Sequence, residues 1–125
     1  MTTSTKPIQA ATAKFAAQIE SALLDGHGQL EDVLANPRFT LTIVIKAVNN
    51  TSLINDSTAI VLIGDIQCRL SAWLAKIDAV LPRQKREMTL REATSTLVEI
   101  LHEVPATIDD LKRLEKYLSP LSIWN

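Results

Sequence analysis

Residues 55–81, NDSTAIVLIGDIQCRLSAWLAKIDAVL, decide the predicted fold. Apolar side chains recur here at intervals of four and three residues, which places them along one side of an α-helix. They are Ala59, Ile63, Ile66, Leu70, Trp73, Ile77 and Val80, flanked by Leu62, Leu74 and Leu81. The opposite side carries small residues: Gly64, Cys68, Ser71, Ala72, Ala75 and Ala79. Because small residues let another helix approach closely, we predict a central helix packed on both sides.

Further helices are predicted on each side of this stretch. A first helix follows Pro7 and ends at Gly26, and a short one over residues 29–35 is stopped by Pro37. Pro82 ends the central helix. A capping box at residues 89–92 starts a helix that Pro105 stops, and a last helix spans residues 107–118. Residues 1–6 are expected to be a flexible N-terminus and residues 7–125 a single helical domain.

Residues 39–48 admit two interpretations. Six of these ten residues are β-branched, and apolar residues alternate as in a half-buried strand. However, Asn36 and Pro37 suit the N-cap and first position of a helix, and Leu41, Val44 and Val48 fit one helix face. We favour a helix. The predicted fold is therefore all-α, a compact bundle of about five helices around the central one, and the alternative is α+β with a strand at 39–48.

Composition limits the classes of protein to which the chain belongs. It has 125 residues, 46% of them hydrophobic, and a net charge of −1. The near-neutral charge provides no overall attraction to nucleic acid or acidic lipid. The sequence begins without a signal peptide and no stretch of about 18 apolar residues is free of charges, so a cytoplasmic location without membrane insertion is expected.

The sequence shows no pattern typical of a catalytic or metal site. His27 and His102 lack the helical i, i+4 partner of a metal site, and phosphate loops, dinucleotide fingerprints and nucleophile elbows do not occur. Cys68 is the only cysteine, which rules out a disulfide within the chain and a cysteine-based zinc cage. We expect this thiol to be buried and inert. No catalytic residue, cofactor or metal is predicted.

A basic cluster after Pro82 is the only sequence feature that suggests nucleic acid. Arg83, Lys85 and Arg86 form a candidate anion or nucleic-acid contact, although a solvated loop beyond a helix C-terminus explains them more simply. The last two predicted helices resemble a helix-turn-helix in spacing alone. Asp109 and Asp110 at the start of its second helix would face DNA phosphates, so nucleic acid is a disfavoured partner.

Apolar residues are the strongest interaction feature. The candidate interface residues are Phe39, Leu41, Ile43, Ile45, Trp73, Ile123 and Trp124. The apolar residues at four- and three-residue spacing from Ala59 to Val80 form a heptad seam. Together with the apolar content and the low net charge, this seam favours a non-enzymatic interaction or assembly protein, acting as a homo-oligomer, adaptor or small chaperone. The expected partner is another protein or a second copy of the chain. The alternatives are a nucleic-acid-associated regulator using residues 83–86 and a small enzyme using His27 or His102 between subunits.

Overall fold

The computed structural model describes residues 4–25, 30–51, 53, 55–81 and 90–118. They form four helices, α1 (Lys6–Asp25), α2 (Leu30–Asn49), α3 (Ser57–Val80) and α4 (Leu90–Leu114), and a final 3₁₀ turn (Glu115–Tyr117). Within these ranges there is no strand, and one isolated antiparallel bridge joins Leu53 to Leu118. The all-α prediction is confirmed, but the described residues hold four helices where about five were predicted.

The four helices pack in a ring. α1 and α3 each contact both α2 and α4, and these are the principal contacts between helices. Arg38 pairs with Asp78 and Asn49 with Gln67, so residue numbers rise along α2 as they fall along α3. These two helices are therefore antiparallel. The prediction of a central helix is not supported, because α3 is one of four walls around the core and α4 is one residue longer.

The core lies between the four helices and is filled by one apolar side of each. Residues at three- and four-residue spacing become fully buried, as expected for an amphipathic helix. The largest of them are Trp73, Phe15, Ile19, Leu34, Leu41, Ile66, Leu70, Ile77, Leu97, Ile100, Leu111 and Leu114. The heptad seam of α3 therefore faces the core, as the sequence indicates.

Two prolines that were predicted to end helices lie inside them. Pro37 is within α2 and Pro105 within α4. A proline inside a helix loses one backbone hydrogen bond and costs about 3 kcal/mol. Buried residues continue in register across both prolines, and each large apolar side chain contributes about 1.5–3 kcal/mol when buried. Tertiary packing thus outweighs the local cost and joins the predicted segments into single helices.

Residues 39–48 belong to α2, so the α+β alternative is not realised. Leu41, Val44 and Val48 are buried along one helix face, whereas the residues that alternate in a strand pattern are divided between core and solvent. The chain has no neighbouring strand with which this segment pairs in the described ranges. The β-branched composition is accommodated because burial against α1 and α3 decides the conformation.

The ends of the helices are held by side chains. Asp56 caps α3 by accepting hydrogen bonds from the backbone N–H groups of Thr58 and Ala59. Thr5 is buried and donates to the Leu111 carbonyl over 2.8 Å. This hydrogen bond ties the residue that precedes α1 to the end of α4. α4 begins at Leu90, while the predicted capping box lies outside the residues whose side chains are described.

Candidate interaction surface on helices α2 and α3

The outer side of the α2–α3 pair combines exposed large apolar side chains with a strip of small residues. An ion pair of 2.7 Å between Arg38 of α2 and Asp78 of α3 connects the two helices on this side. One end carries a hydrogen bond of 3.1 Å from the Gln67 amide to the Asn49 side-chain oxygen. These contacts hold the two helices side by side and present their solvent-facing residues as one surface, which we call the α2/α3 outer face.

On α2, two large apolar side chains project from this face. Phe39 is 57% exposed and Ile43 is 50% exposed, and their four-residue spacing places them on the same side of the helix. A groove of about 450 Å³ lies beside Phe39. Leu34, Ala35, Arg38, Thr42 and Leu81 complete its lining. α2 thus contributes two protrusions and an adjacent recess.

On α3, large or charged residues are exposed near the start of the helix, whereas the exposed residues from Cys68 onward are small and uncharged. Cys68, Ser71, Ala72, Ala75 and Ala79 are exposed, and Gly64 is half-buried. A Cβ added at Gly64 would meet no atom within 4 Å, so packing within the chain does not require glycine there. The small residues that were predicted to receive a helix of the same chain receive none in the described fold. Cys68 is accordingly exposed, which corrects the expectation of a buried thiol.

α3 is also apolar as a whole. By length and composition alone it could cross a membrane, a test that core helices of soluble proteins also pass. Only 22% of its most apolar 18-residue window is buried within the bundle. The apolar character of α3 is therefore shared between the core and the outer face.

The charges around the face are mostly neutralised. The hydrogen bond to Asp78, and then the negative charge of that carboxylate, raise the pKa of the Arg38 guanidinium. On the far side of α3, Arg69 donates to Asp110 and to the Thr107 hydroxyl, each over 3.0 Å. Lys46 on α2 and Asp65 on α3 form no ion pair with any residue that the structure describes. The face therefore contains one paired charge, the Arg38–Asp78 pair between the two helices, and two charges without an ion-pair partner among the described residues.

The predicted interface residues fall into three groups. Phe39 and Ile43 lie on the outer face, and Ile45 is half-buried against the core. Leu41 and Trp73 are fully buried and offer no surface to a partner. Ile123 and Trp124, together with the candidate anion contacts Arg83, Lys85 and Arg86, lie outside the described residues. The exposure of Ala72, Ala75 and Ala79 was not predicted, although their spacing places them on one side of α3.

A second groove lies between the start of α3 and the end of α4. It has a volume of about 600 Å³ and is lined by Ser57, Thr58, Val61, Leu62, Asp65, Arg113, Lys116 and Tyr117. Both cations are exposed, and Arg113 lies 3.7 Å from the Asp110 carboxylate. The groove is therefore lined by exposed cations, and the Asp110 carboxylate beside it pairs with both Arg113 and Arg69.

The described residues contain no group of three or more histidine, cysteine or acidic side chains that could hold a metal ion. His102 is exposed on α4, and His27 lies outside the described residues. α4 runs without a break through residues 104–107, where the helix-turn-helix interpretation required a turn. Comparison with protein-family models, curated proteins and solved structures gives no match.

Proposed function

We propose that the protein is a non-enzymatic interaction or assembly module that binds another protein through the α2/α3 outer face. The observation that carries this proposal is the exposure of Phe39 and Ile43 beside the uncharged small-residue side of α3. Apolar surface of this kind, bordered by polar residues, is typical of protein-binding sites. Its burial would be favourable by about 25 cal/mol for each Å² of apolar area.

A protein partner suits this face better than a lipid surface. Helices that lie on membranes combine large apolar side chains with a polar face rich in lysine and arginine. The α3 part of the face instead carries alanine, serine and cysteine. The exposed cations on the α2 part are Lys46 and Arg38, and Arg38 is paired with Asp78. Small side chains allow close approach of a second helix, which is the contact that a protein partner supplies.

The proposal is tested by the size of the tagged protein in extracts of the cells that naturally produce it. Wild type should sediment as a particle larger than the 13.8 kDa chain. Phe39→Lys should sediment as the free chain, because an unpaired ammonium would have to be buried in the contact. Leu24→Lys is the matched control, since Leu24 lies on α1 and is 87% exposed. Equal behaviour of both variants, or a free chain in wild type, would contradict the proposal.

A further inference from the structure

We infer that the α2/α3 outer face binds a second copy of this chain, with α2 of each copy lying over α3 of the other. This inference rests on the proposed function and names its partner. The two halves of the face differ in relief where the helices run side by side: α2 carries the protrusions Phe39 and Ile43, and the exposed residues of α3 from Cys68 onward are small. The exposed Ile60 and Val61 of α3 lie beyond the end of α2. A surface with protrusions beside a low strip is complementary to itself after a two-fold rotation.

The direction of the two-fold axis follows from this relief. An axis parallel to the helices brings α2 of one copy over α3 of the other, so that large residues meet small ones. An axis that also lies in the plane of contact between the copies, but runs perpendicular to the helices, places α2 over α2. It sets Phe39 and Ile43 of both copies against one another. Close packing favours the first arrangement because it leaves fewer voids.

Symmetry then fixes the contacts along the helices. The Arg38–Asp78 and Asn49–Gln67 contacts show which residues of α2 and α3 lie at the same height within one copy. Phe39 is level with Ile77, and Ile43 is level with Trp73. A two-fold rotation involves no translation along its axis, so each residue keeps its height. Phe39 of one copy therefore lies over the exposed Ala75 and Ala79 of the other, and Ile43 lies over Ala72.

Charge is compatible with this register. Lys46 is level with Leu70 and comes to lie over α3 of the second copy. Asp65 is five residues further along that helix, about 7.5 Å away at 1.5 Å per residue. A lysine side chain extends far enough to direct its ammonium toward that carboxylate. Both groups lack an ion-pair partner among the described residues of one copy.

The size of the shared face predicts a weak dimer. Within one copy, α2 and α3 run side by side over about 15 residues, or about 22 Å. Two helices side by side are about 20 Å wide, so the dimer buries roughly 900 Å², below the about 1,200–2,000 Å² of stable complexes. We expect a reversible dimer with a Kd on the order of 10–100 μM, since contacts of this size are typically transient.

The test is sedimentation equilibrium of the purified full chain, with a reductant present because Cys68 is exposed. The mass should rise with concentration toward twice 13.8 kDa. Phe39→Lys alone and Ala75→Glu alone should each weaken the dimer at least about tenfold, because either change places a charge in the contact. An equimolar mixture of the two variants should recover the dimer, since the introduced ammonium of one chain meets the introduced carboxylate of the other. Leu24→Lys should dimerise like wild type.

Three results would overturn the inference. The first is a mass of one chain at every concentration up to about 1 mM, well above the expected Kd. The second is a dimer that Phe39→Lys leaves intact, or that the mixture of variants does not recover. The third is flotation of a monomeric wild type with phosphatidylserine-containing vesicles, which would assign the face to lipid. A monomer that still forms a Phe39-dependent particle in cell extracts would refute only the second copy, whereas a free chain in both experiments would refute the proposed function as well.

Discussion

The indole ring of Trp73 lies nearly parallel to the phenyl ring of Phe15, with 5.8 Å between ring centroids and 12° between ring planes. Both side chains are fully buried, and they connect α1 with α3 across the centre of the bundle. An offset stack of this kind contributes about 0.5–1.5 kcal/mol beyond the burial of the rings. The Trp73 indole nitrogen is buried without a hydrogen-bond acceptor among the described residues, at a cost of about 1–3 kcal/mol.

The burial of both rings and the unpaired N–H of Trp73 predict different changes in the free energy of unfolding for substitutions at Phe15 and Trp73. Phe15→Ala should lower the free energy of unfolding by about 3–5 kcal/mol, because it leaves a cavity at the centre of the core. Trp73→Phe should change it by less than about 1.5 kcal/mol, since the packing it loses is offset by removal of the unpaired N–H. Urea denaturation followed by circular dichroism measures both. A loss well above about 1.5 kcal/mol for Trp73→Phe would show that removing the unpaired N–H does not offset the lost packing.

Ile66 and Val61 predict opposite outcomes for the same substitution within α3. Ile66 is fully buried and Val61 is 63% exposed. Ile66→Asp should destabilise the fold by more than about 4 kcal/mol because it buries an unpaired charge, whereas Val61→Asp should cost less than about 1 kcal/mol. Thermal unfolding of the two variants is the measurement. A folded Ile66→Asp protein with unchanged melting would refute the assignment of this side of α3 to the core.

The two internal prolines predict a gain in stability. Pro105 is exposed on α4, so Pro105→Ala should raise the free energy of unfolding by about 1–3 kcal/mol by restoring a backbone hydrogen bond. Pro37 is buried, so Pro37→Ala should raise it less, because the loss of ring packing offsets part of the gain. Chemical denaturation compares the two. A lower stability of Pro105→Ala would indicate that the proline is required for the path of α4.

Gly64 offers a second stabilising change. The added Cβ of Gly64→Ala meets no atom within 4 Å, and alanine is favoured over glycine inside a helix by about 0.5–1 kcal/mol. We therefore expect a higher melting temperature. The sedimentation of this variant should match wild type, because Gly64 lies beyond the part of α3 that is level with α2. A weaker association would place Gly64 inside the contact and revise its extent.

The Arg69–Asp110 pair should stabilise the packing of α3 on α4. Its side chains are only 25% and 17% exposed, and Arg69 also donates to the Thr107 hydroxyl. Asp110→Ala should lower the free energy of unfolding by about 1–3 kcal/mol, since it leaves the guanidinium partly buried without its anion. Asp109→Ala is the matched control, because Asp109 is exposed and should cost less than about 0.5 kcal/mol. Indistinguishable stabilities would show that solvent already screens the pair.

Helix type and core direction were predictable where periodicity was long and unbroken. The four- and three-residue spacing of α3 correctly placed Ile66, Trp73 and Ile77 on a buried side, and helix was the favoured conformation for residues 39–48. The positions of helix ends were less predictable, because Pro37 and Pro105 are strong local signals that burial on both sides overrides. Of the candidate interface, Phe39 and Ile43 are exposed, whereas Leu41, two positions from each of them, belongs to the core.

Local patterns in the sequence were enough to predict that the chain is helical and which side of each helix is apolar, because hydrogen bonding and side-chain spacing within a helix are local. How the helical segments join, and which apolar sides stay uncovered, depends on the packing of the whole fold. The seam and the small-residue side of α3 both predict contacts, but the number of neighbours depends on how all four helices share one core. In the described fold α3 has neighbours at α2 and α4 and none over Ala72 and Ala75, so that side remains a surface.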